Sequence, residues 1–96
     1  MLSKMKQYLS PEQTAKLIEL GLPKPESIVG YDGYWGYDYA YSIGELIEML
    51  GGVSELEITR CGSGWEAGDE LRAFTSEELI DALYDMIIKL KEEGVI

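Results

Sequence analysis

The sequence predicts a single small α+β domain in which a three-stranded, largely antiparallel sheet packs against helices. Three observations support this class. Helix caps recur at three places, stretches of alternating apolar and polar residues lie between them, and a glycine-rich turn joins two of these stretches. The predicted order is helix, strand, helix, strand, strand, helix (αβαββα). Strands joined by a hairpin, together with separate helices, are typical of α+β domains, and the chain length fits one domain over residues 1–96.

The first helix is predicted to begin at Ser10. Ser10 is a good N-cap, Pro11 suits the first helical position, and Gln13 closes a capping box. Gly21 ends the helix, because glycine readily adopts the backbone conformation that follows a last helical turn. The predicted apolar face, by which the helix docks on the rest of the domain, consists of Ala15, Leu17, Ile18 and Leu20.

Two stretches beside this helix lack a clear period. Residues 1–9 form a short amphipathic lead-in, which fits either a turn or two of helix or a frayed end. Residues 24–36 are predicted to be a loop: Pro25 keeps Lys24 extended in a connector, and the Gly-Tyr-x repeat from Gly30 to Gly36 matches neither the helix period nor the strand period. From Tyr37 to Tyr41 the tyrosines alternate with other residues, and this alternation predicts the first strand.

The middle of the chain predicts a second helix and then a hairpin. Ser42 caps the helix, with Glu45 at the capping-box position. Residues 53–61 predict a strand, the Gly-Ser-Gly sequence at 62–64 predicts its turn, and residues 65–74 predict the returning strand. An inward Asp69 next to a glycine indicates a bulge or break in that strand. The predicted inward apolar residues are Leu56, Ile58, Trp65, Ala67, Leu71 and Ala73.

The last helix carries the largest apolar surface in the chain. Thr75 and Glu78 form a capping box, Phe74 packs against the first turn, and Gly94 ends the helix. The apolar arc covers roughly 200°, wider than the stripe of a simple surface helix, so two neighbours are expected, a sheet and another helix. This arc consists of Leu79, Ile80, Ala82, Leu83, Met86, Ile87 and Leu90, with Tyr84 and Ile88 at its margin.

Composition narrows the classes of function. The net charge is −10, and residues 25–59 contain seven acidic residues and no Lys or Arg. We therefore expect no direct binding to nucleic acid and no binding to anionic membranes, whereas a basic protein partner is compatible. A single cysteine, no signal-like N-terminus and no run long enough to span a bilayer predict a cytoplasmic protein.

No pattern of catalytic residues is present, so we expect a protein that is not an enzyme and has no cofactor. The chain has no histidine, which removes the commonest general base and most zinc sites. Gly62, Gly64 and Gly68 are spaced like a phosphate loop, but they join two predicted strands and do not lead into a helix. Asp32 and Asp38 could hold a hard cation, yet their spacing does not match a calcium loop, and we predict no metal site.

The tyrosine-rich stretch is the best candidate for binding a partner. Tyrosine offers a large contact area at low entropic cost, and glycine lets the backbone adapt. For Tyr37, Tyr39 and Tyr41 a role in the core or beside the helix cap is the favoured interpretation, whereas for Tyr31, Tyr34 and Trp35 a binding role and a plain loop fit the sequence equally well. The candidate partner-binding residues are Tyr31, Asp32, Tyr34, Trp35 and Asp38.

Three segments carry a resemblance to known proteins. They are residues 12–22, with the sequence EQTAKLIELGL, residues 41–46, with YSIGEL, and residues 78–84, with ELIDALY, followed by the ending EGVI. Together they resemble short uncharacterised proteins of gut-bacterial phages and mobile elements. The resemblance implies a phage-encoded protein but no activity and no functional residue, and the Tyr-Gly repeat lies outside it.

Three hypotheses follow for the function. The first is a small acidic protein-interaction module that binds a partner through the aromatic loop or an acidic face. The second is an acidic mimic of nucleic acid that blocks a DNA-binding protein. The third is a small-ligand or metal-binding module, which needs a concave pocket with converging polar groups. The exposed edges of a three-stranded sheet also permit a homodimer through an edge or an open face.

Overall fold

The computed structural model describes residues 5–30, 37–52 and 55–96. Within these ranges it confirms the α+β class, with three helices, a three-stranded antiparallel sheet, and strands between the helices. A further pair of short strands forms a separate antiparallel ribbon. The elements are α1 (Pro11–Glu19), β1 (Ile28–Gly30), β2 (Tyr37–Tyr39), α2 (Ile43–Gly51), β3 (Glu57–Cys61), β4 (Gly64–Gly68), β5 (Ala73–Ser76) and α3 (Leu79–Glu92).

The strand near Tyr37 has a partner that the sequence pattern did not predict. β1 lies at residues 28–30, inside the predicted loop, and pairs with β2 so that Ile28 is opposite Tyr39 and Gly30 is opposite Tyr37. We call this β1–β2 ribbon the arm. The three-stranded sheet consists instead of β3, β4 and β5 in that order, because the predicted returning strand is divided into two.

The division occurs at Asp69, where a bulge or break was expected. The Asp69 carboxylate oxygen Oδ1 accepts hydrogen bonds from the backbone amides of Leu71 and Arg72, each at 2.9 Å. The chain therefore turns at this point and β5 pairs back onto β4. Leu71, predicted to face inward, lies in the turn and is 84% exposed, and Ala73 is exposed as well. The turn shifts the alternation by one residue, so Phe74 takes the inner face opposite Ala67.

Arg72 connects the β4–β5 turn to the end of α3. Its guanidinium donates to Asp69 Oδ2 at 3.0 Å and to both carboxylate oxygens of Glu93, at 2.9 and 3.2 Å. The hydrogen bonds from Arg72 lower the pKa of Glu93 and outweigh the opposing effect of burial. A bidentate pair of this kind fixes the relative orientation of the guanidinium and the carboxylate as well as the distance between them.

Local capping signals predicted the first two helices correctly. Both capping boxes form, between Ser10 and Gln13 in α1 and between Ser42 and Glu45 in α2. Gly21 adopts a positive φ of 88° after α1, and Gly94 a φ of 76° after α3, as the predicted helix endings require.

The predicted start of α3 was wrong. Thr75 does not cap a helix, because it pairs with Glu66 as part of β5. The helix begins at Leu79, after Glu78, which makes no side-chain cap hydrogen bond. The Glu78 carboxylate accepts instead from the backbone amide of Lys6, at 2.8 Å. Sheet pairing satisfies more backbone groups here than a capping box would.

The core is built around α3, with two neighbours as expected. α2 packs on one side of α3, and β4 and β5 pack on the other. Tyr84 and Ile88 lie at the margin of the core, half-buried. All seven residues of the predicted arc are buried, and Leu9, Leu17, Tyr41, Leu46, Leu50 and Ala67 complete the core cluster.

The described part of the lead-in is extended rather than helical. Leu9 donates its amide to the Tyr41 carbonyl at 3.0 Å, the Gln7 carbonyl accepts from Ile43 at 3.1 Å, and the Leu9 side chain is buried. Residues 7–9 therefore cover one side of the core. Within the described ranges, no helix has both the length and the apolar character that crossing a membrane requires.

Candidate functional site

Of the five predicted partner-binding residues, only Asp38 lies in the described part of the chain. Tyr31, Asp32, Tyr34 and Trp35 fall outside the described residues, in the segment 31–36 that connects β1 to β2. The backbone of Asp38 is in β2, opposite Val29. The described residues therefore place the two ends of the aromatic segment on one ribbon but do not test its role.

An open groove lies between α1 and the chain that leads to the arm. Its volume is about 760 Å³, and we call it the α1 groove. Two large apolar side chains are accessible there, because Ile18 is 39% exposed and Tyr39 is 53% exposed. The lining residues are Pro11, Thr14, Ala15 and Ile18 on α1, Lys24, Pro25 and Glu26 on the connector, and Tyr39 on β2.

The predicted docking face of α1 was only partly correct, because two of its residues line the groove. Leu17 is buried as expected, but Ala15 and Ile18 face the groove, and Thr14 is buried beside Leu17. Away from the groove, α1 is held by Leu17 in the core and by polar contacts with α3: the Gln13 amide group donates to Asp81 Oδ1 at 3.0 Å, and Lys6 Nζ lies 3.1 Å from the same oxygen. The helix is thus held in place without using its groove face.

Glu45 holds the other wall of the groove. Its carboxylate accepts from the backbone amide of Glu26 at 2.9 Å and from the hydroxyl of Ser27, while also closing the α2 capping box with Ser42. The buried Tyr41 hydroxyl donates to the Pro23 carbonyl, a second attachment of the same connector. Hydrogen bonds within the fold therefore fix the position of this wall.

The ionisation of Glu45 reflects these contacts. Burial alone would raise the pKa of this carboxyl group, but the hydrogen bonds from Ser27, Glu26 and Ser42 outweigh burial and bring the pKa below its ordinary value of 4.5. A lowered pKa means that the ionised carboxylate stabilises the folded state. This contribution is complete at pH values above 4.5 and is lost as the pH falls through the lowered pKa.

We expect Glu45→Gln to loosen the connector and to reduce the acid sensitivity of the fold. Glutamine keeps one acceptor oxygen for the capping box, but its amino group cannot accept the Glu26 amide. The expected loss is about 1 kcal/mol of unfolding free energy at pH 7, typical of one hydrogen bond. Urea denaturation at pH 7 and pH 3 measures it, and the variant should lose less stability than the wild type between these pH values.

Glu48→Gln is the matched control, since Glu48 lies exposed on the same helix. It changes the net charge equally and should leave stability within about 0.5 kcal/mol of the wild type. Equal effects of the two substitutions would show that Glu45 acts only through its charge.

Thr14 is the unusual polar residue of the groove. It is 5% exposed, and its hydroxyl oxygen Oγ1 has no hydrogen-bond partner among the described residues. A threonine within a helix often donates its hydroxyl to the carbonyl four residues earlier, but here the Ser10 carbonyl accepts only the Thr14 backbone amide, at 2.9 Å, and not the hydroxyl. Buried hydroxyls without a partner are rare in native proteins, so this one requires an explanation.

The other candidate sites have weaker support as binding or catalytic sites. Cys61 and Gly64 are paired at the end of a β3–β4 hairpin, with Gly62 at a φ of 58°, so these glycines form a turn and not a phosphate loop. A smaller hollow of about 180 Å³ is lined by Glu55, Asp69, Glu70 and Leu71, but Asp69 is already bonded within its own turn. In the part of the chain that the structure describes, no group of three or more potential metal ligands is found.

Sequence reasoning missed the groove. The available signal was the spacing of Pro11, Thr14, Ala15 and Ile18, which places them on one side of a helix. These residues form a face of α1 next to the one that Leu17 buries in the core. No protein-family model, curated protein or solved structure matches the chain significantly.

Proposed function

We propose that this protein is a non-enzymatic interaction module that binds a partner protein through the α1 groove and the adjoining arm. The observation that carries the proposal is the groove itself, in which Ile18 and Tyr39 are accessible between two walls held by internal hydrogen bonds. Accessible aromatic and aliphatic groups on a pre-positioned surface are typical of interface centres. Ile28, paired with Tyr39 across the arm, is exposed and extends the apolar surface.

Charge supports a basic partner. The net charge of −10, and the absence of Lys and Arg from residues 25–59, create a negative field that speeds encounter with a positively charged protein. Several carboxylates are engaged within the fold, among them Glu45, Asp69, Glu78 and Asp81. The acidic mimic would need the carboxylates of residues 25–59 to be spaced like phosphates on one surface, and Glu45, which belongs to this stretch, is instead bonded within the fold.

We propose further that the protein acts in the cytoplasm, where a reducing environment suits its single cysteine, and that it is phage-encoded. A homodimer through a sheet edge is a second candidate interaction. β3 is an outer strand of its sheet, and all five of its residues are exposed. The charge of −10 on each copy opposes self-association, so the proposal favours a different, basic partner.

We expect Ile18→Asp to abolish capture of the partner. The tagged full chain is incubated with a lysate of the organism that encodes it, captured proteins are quantified, and the affinity of the purified partner is then measured by calorimetry. A carboxylate in the apolar groove should weaken binding at least about tenfold, because it must be desolvated opposite apolar groups. Circular dichroism verifies that the variant is folded.

Leu71→Asp is the matched control, with the same type of change at a residue that is 84% exposed in the β4–β5 turn. It should retain the partner. The double substitution Tyr34→Ala/Trp35→Ala tests the contribution of the aromatic segment separately. A partner captured equally by the wild type, Ile18→Asp and the double variant would refute the proposed binding surface.

A further inference from the structure

We infer that β3 accepts an extended segment of another polypeptide as a fourth strand of the sheet, with a carboxylate of that segment opposite Arg60. This surface shares no residue with the α1 groove, so the inference goes beyond the proposed function. Three observations carry it. β3 is an exposed outer strand, its free side presents backbone hydrogen-bonding groups, and Arg60 is held in place without a carboxylate partner among the described residues.

β3 forms a regular and accessible edge of the sheet. It pairs with β4 over five consecutive residues, from Glu57 opposite Gly68 to Cys61 opposite Gly64, without a bulge. α3 packs against β4 and β5, so β4 is the main neighbour of β3 among the described elements. Exposed edges usually carry a lysine, a proline or a bulge that hinders pairing with another strand, and β3 has none of these. The edge is therefore open to a further strand.

The backbone of β3 directs hydrogen-bonding groups toward its free side at Ile58 and Arg60. Cys61 and Gly64 flank a two-residue turn, and residues that flank such a turn exchange hydrogen bonds with each other. From there, every second residue of β3 bonds to β4. The N–H and C=O groups of Ile58 and Arg60, which lie between the bonded residues, point the other way. They determine the register of an added antiparallel strand.

Arg60 supplies a charge for the added strand to bind. Its guanidinium lies 4.9 Å from the centre of the ring of Trp65, the residue opposite it on β4. A cation–π contact holds the side chain in place but does not neutralise its charge. In the described part of the chain Arg60 forms no ion pair with a carboxylate, whereas Arg72 pairs with both Asp69 and Glu93. A carboxylate opposite Arg60 therefore meets a positioned donor without breaking an existing pair.

The two faces of the sheet determine the side chains of the added strand. Residues opposite each other share a face, so Ile58 and Arg60 lie on the inner face with Ala67 and Trp65, and Glu57 lies on the outer face. In the N-to-C direction, an antiparallel segment should carry Asp or Glu opposite Arg60, an apolar residue two positions later opposite Ile58, and then Lys or Arg opposite Glu57. The inner-face arginine disfavours a purely apolar strand, which makes this pattern selective.

A second copy of this chain does not supply that pattern. The residue opposite Arg60 must direct its own backbone groups toward β3, as Ile58 and Arg60 do in this strand. Glu57 directs its groups toward β4, so no antiparallel pairing of two β3 strands places its carboxylate opposite Arg60. The net charge of −10 on each copy opposes such a pairing further. The occupant is therefore a different polypeptide.

The test uses a random-peptide display library panned against the immobilised full chain, followed by calorimetry with synthetic copies of the enriched peptides. Peptides that no longer bind the Ile18→Asp variant belong to the α1 groove and are set aside. The others should contain an acidic residue, an apolar residue two positions later, and then a basic residue. Methylating the backbone nitrogen opposite Arg60 should weaken binding about tenfold, whereas methylating the next nitrogen should have little effect, because only alternate N–H groups bond to β3.

Two substitutions in β3 test the backbone and the charge separately. Ile58→Pro removes an N–H group on the free side and none that bonds to β4, so circular dichroism should show a folded protein. This variant should bind each peptide at least about tenfold more weakly. Arg60→Glu should weaken binding of the acidic peptides about fivefold and should favour matched peptides in which Lys replaces the acidic residue.

Amide hydrogen exchange, followed by NMR, identifies the strand that the peptide contacts. In the free protein the amides of Ile58 and Arg60 should exchange faster than those of Thr59 and Cys61, which bond to β4. Bound peptide should protect the amides of Ile58 and Arg60. This measurement needs no substitution in the protein, so it holds even where Ile58→Pro fails to fold.

The inference is overturned if every enriched peptide belongs to the α1 groove or has a dissociation constant above about 100 µM. Unchanged exchange of the Ile58 and Arg60 amides on peptide binding would overturn it as well. So would dimerisation of the free protein that Ile58→Pro abolishes, because a second copy would then occupy the edge. The proposed function fails separately, when the native partner remains bound to the Ile18→Asp variant.

Discussion

Replacing Gly68 by alanine is expected to destabilise the fold by about 3 kcal/mol, at the upper end of what overpacking normally costs. Gly68 is buried at the end of β4, and a Cβ atom there would lie 2.1 Å from the Arg72 carbonyl oxygen and 3.0 Å from the Ala73 Cα. Both atoms belong to the backbone, so β5 has to move. Urea denaturation, followed by tryptophan fluorescence, measures the loss.

Gly44→Ala serves as the control for this prediction. At Gly44, within the first turn of α2, a Cβ would meet only the Ser42 hydroxyl oxygen, at 3.9 Å. The same substitution should therefore stabilise the protein, by up to about 1 kcal/mol, since alanine favours the helix more than glycine does. Two effects of the same sign would contradict the close approach of β4 and β5.

Leu83→Ala is expected to cost about 2–5 kcal/mol, the range measured for removing a buried leucine side chain. Leu83 is completely buried in the middle of α3, the helix that contacts α2 on one side and β4 and β5 on the other. No single neighbour can close the resulting cavity without moving away from another. Thermal and urea denaturation should both show the loss.

Leu71→Ala is the control, because it makes the identical change at an exposed residue. Its effect should remain within about 0.5 kcal/mol of zero. A cost at Leu71 comparable with that at Leu83 would mean that the β4–β5 turn packs against the core, contrary to the structure.

The parts of the fold that were predictable depend on residues close together in the chain. Capping boxes involve residues three apart, so Ser10 and Ser42 identified the starts of α1 and α2. The wide apolar arc of α3 likewise predicted its two neighbours. The start of α3 was not predictable in this way, because Thr75 is favourable both as a cap and as a strand residue. Pairing with Glu66, nine residues away, decided between them.

β1 and the groove were missed for the same physical reason. β1 has only three residues, and it is a strand because Tyr37–Tyr39 pairs with it across the six residues between them. The groove draws its walls from α1, the connector and β2, and Glu45 on α2 holds the connector. The periodicity of apolar residues within one segment carries no information about contacts between segments that are far apart in the chain. Tyr31, Asp32, Tyr34 and Trp35 lie outside the described residues and remain predictions.

The guanidinium of Arg72 has a consequence for how the C-terminal third of the chain loosens. One side chain is bonded both to the reverse turn at Asp69 and to Glu93, just after α3. Arg72 thereby connects the end of α3 to the loop between β4 and β5, which the Asp69 carboxylate also holds through the amides of Leu71 and Arg72. Salt screens the attraction between Arg72 and Glu93, and acid protonates Glu93, so we expect both to weaken this connection between two places more than twenty residues apart in sequence.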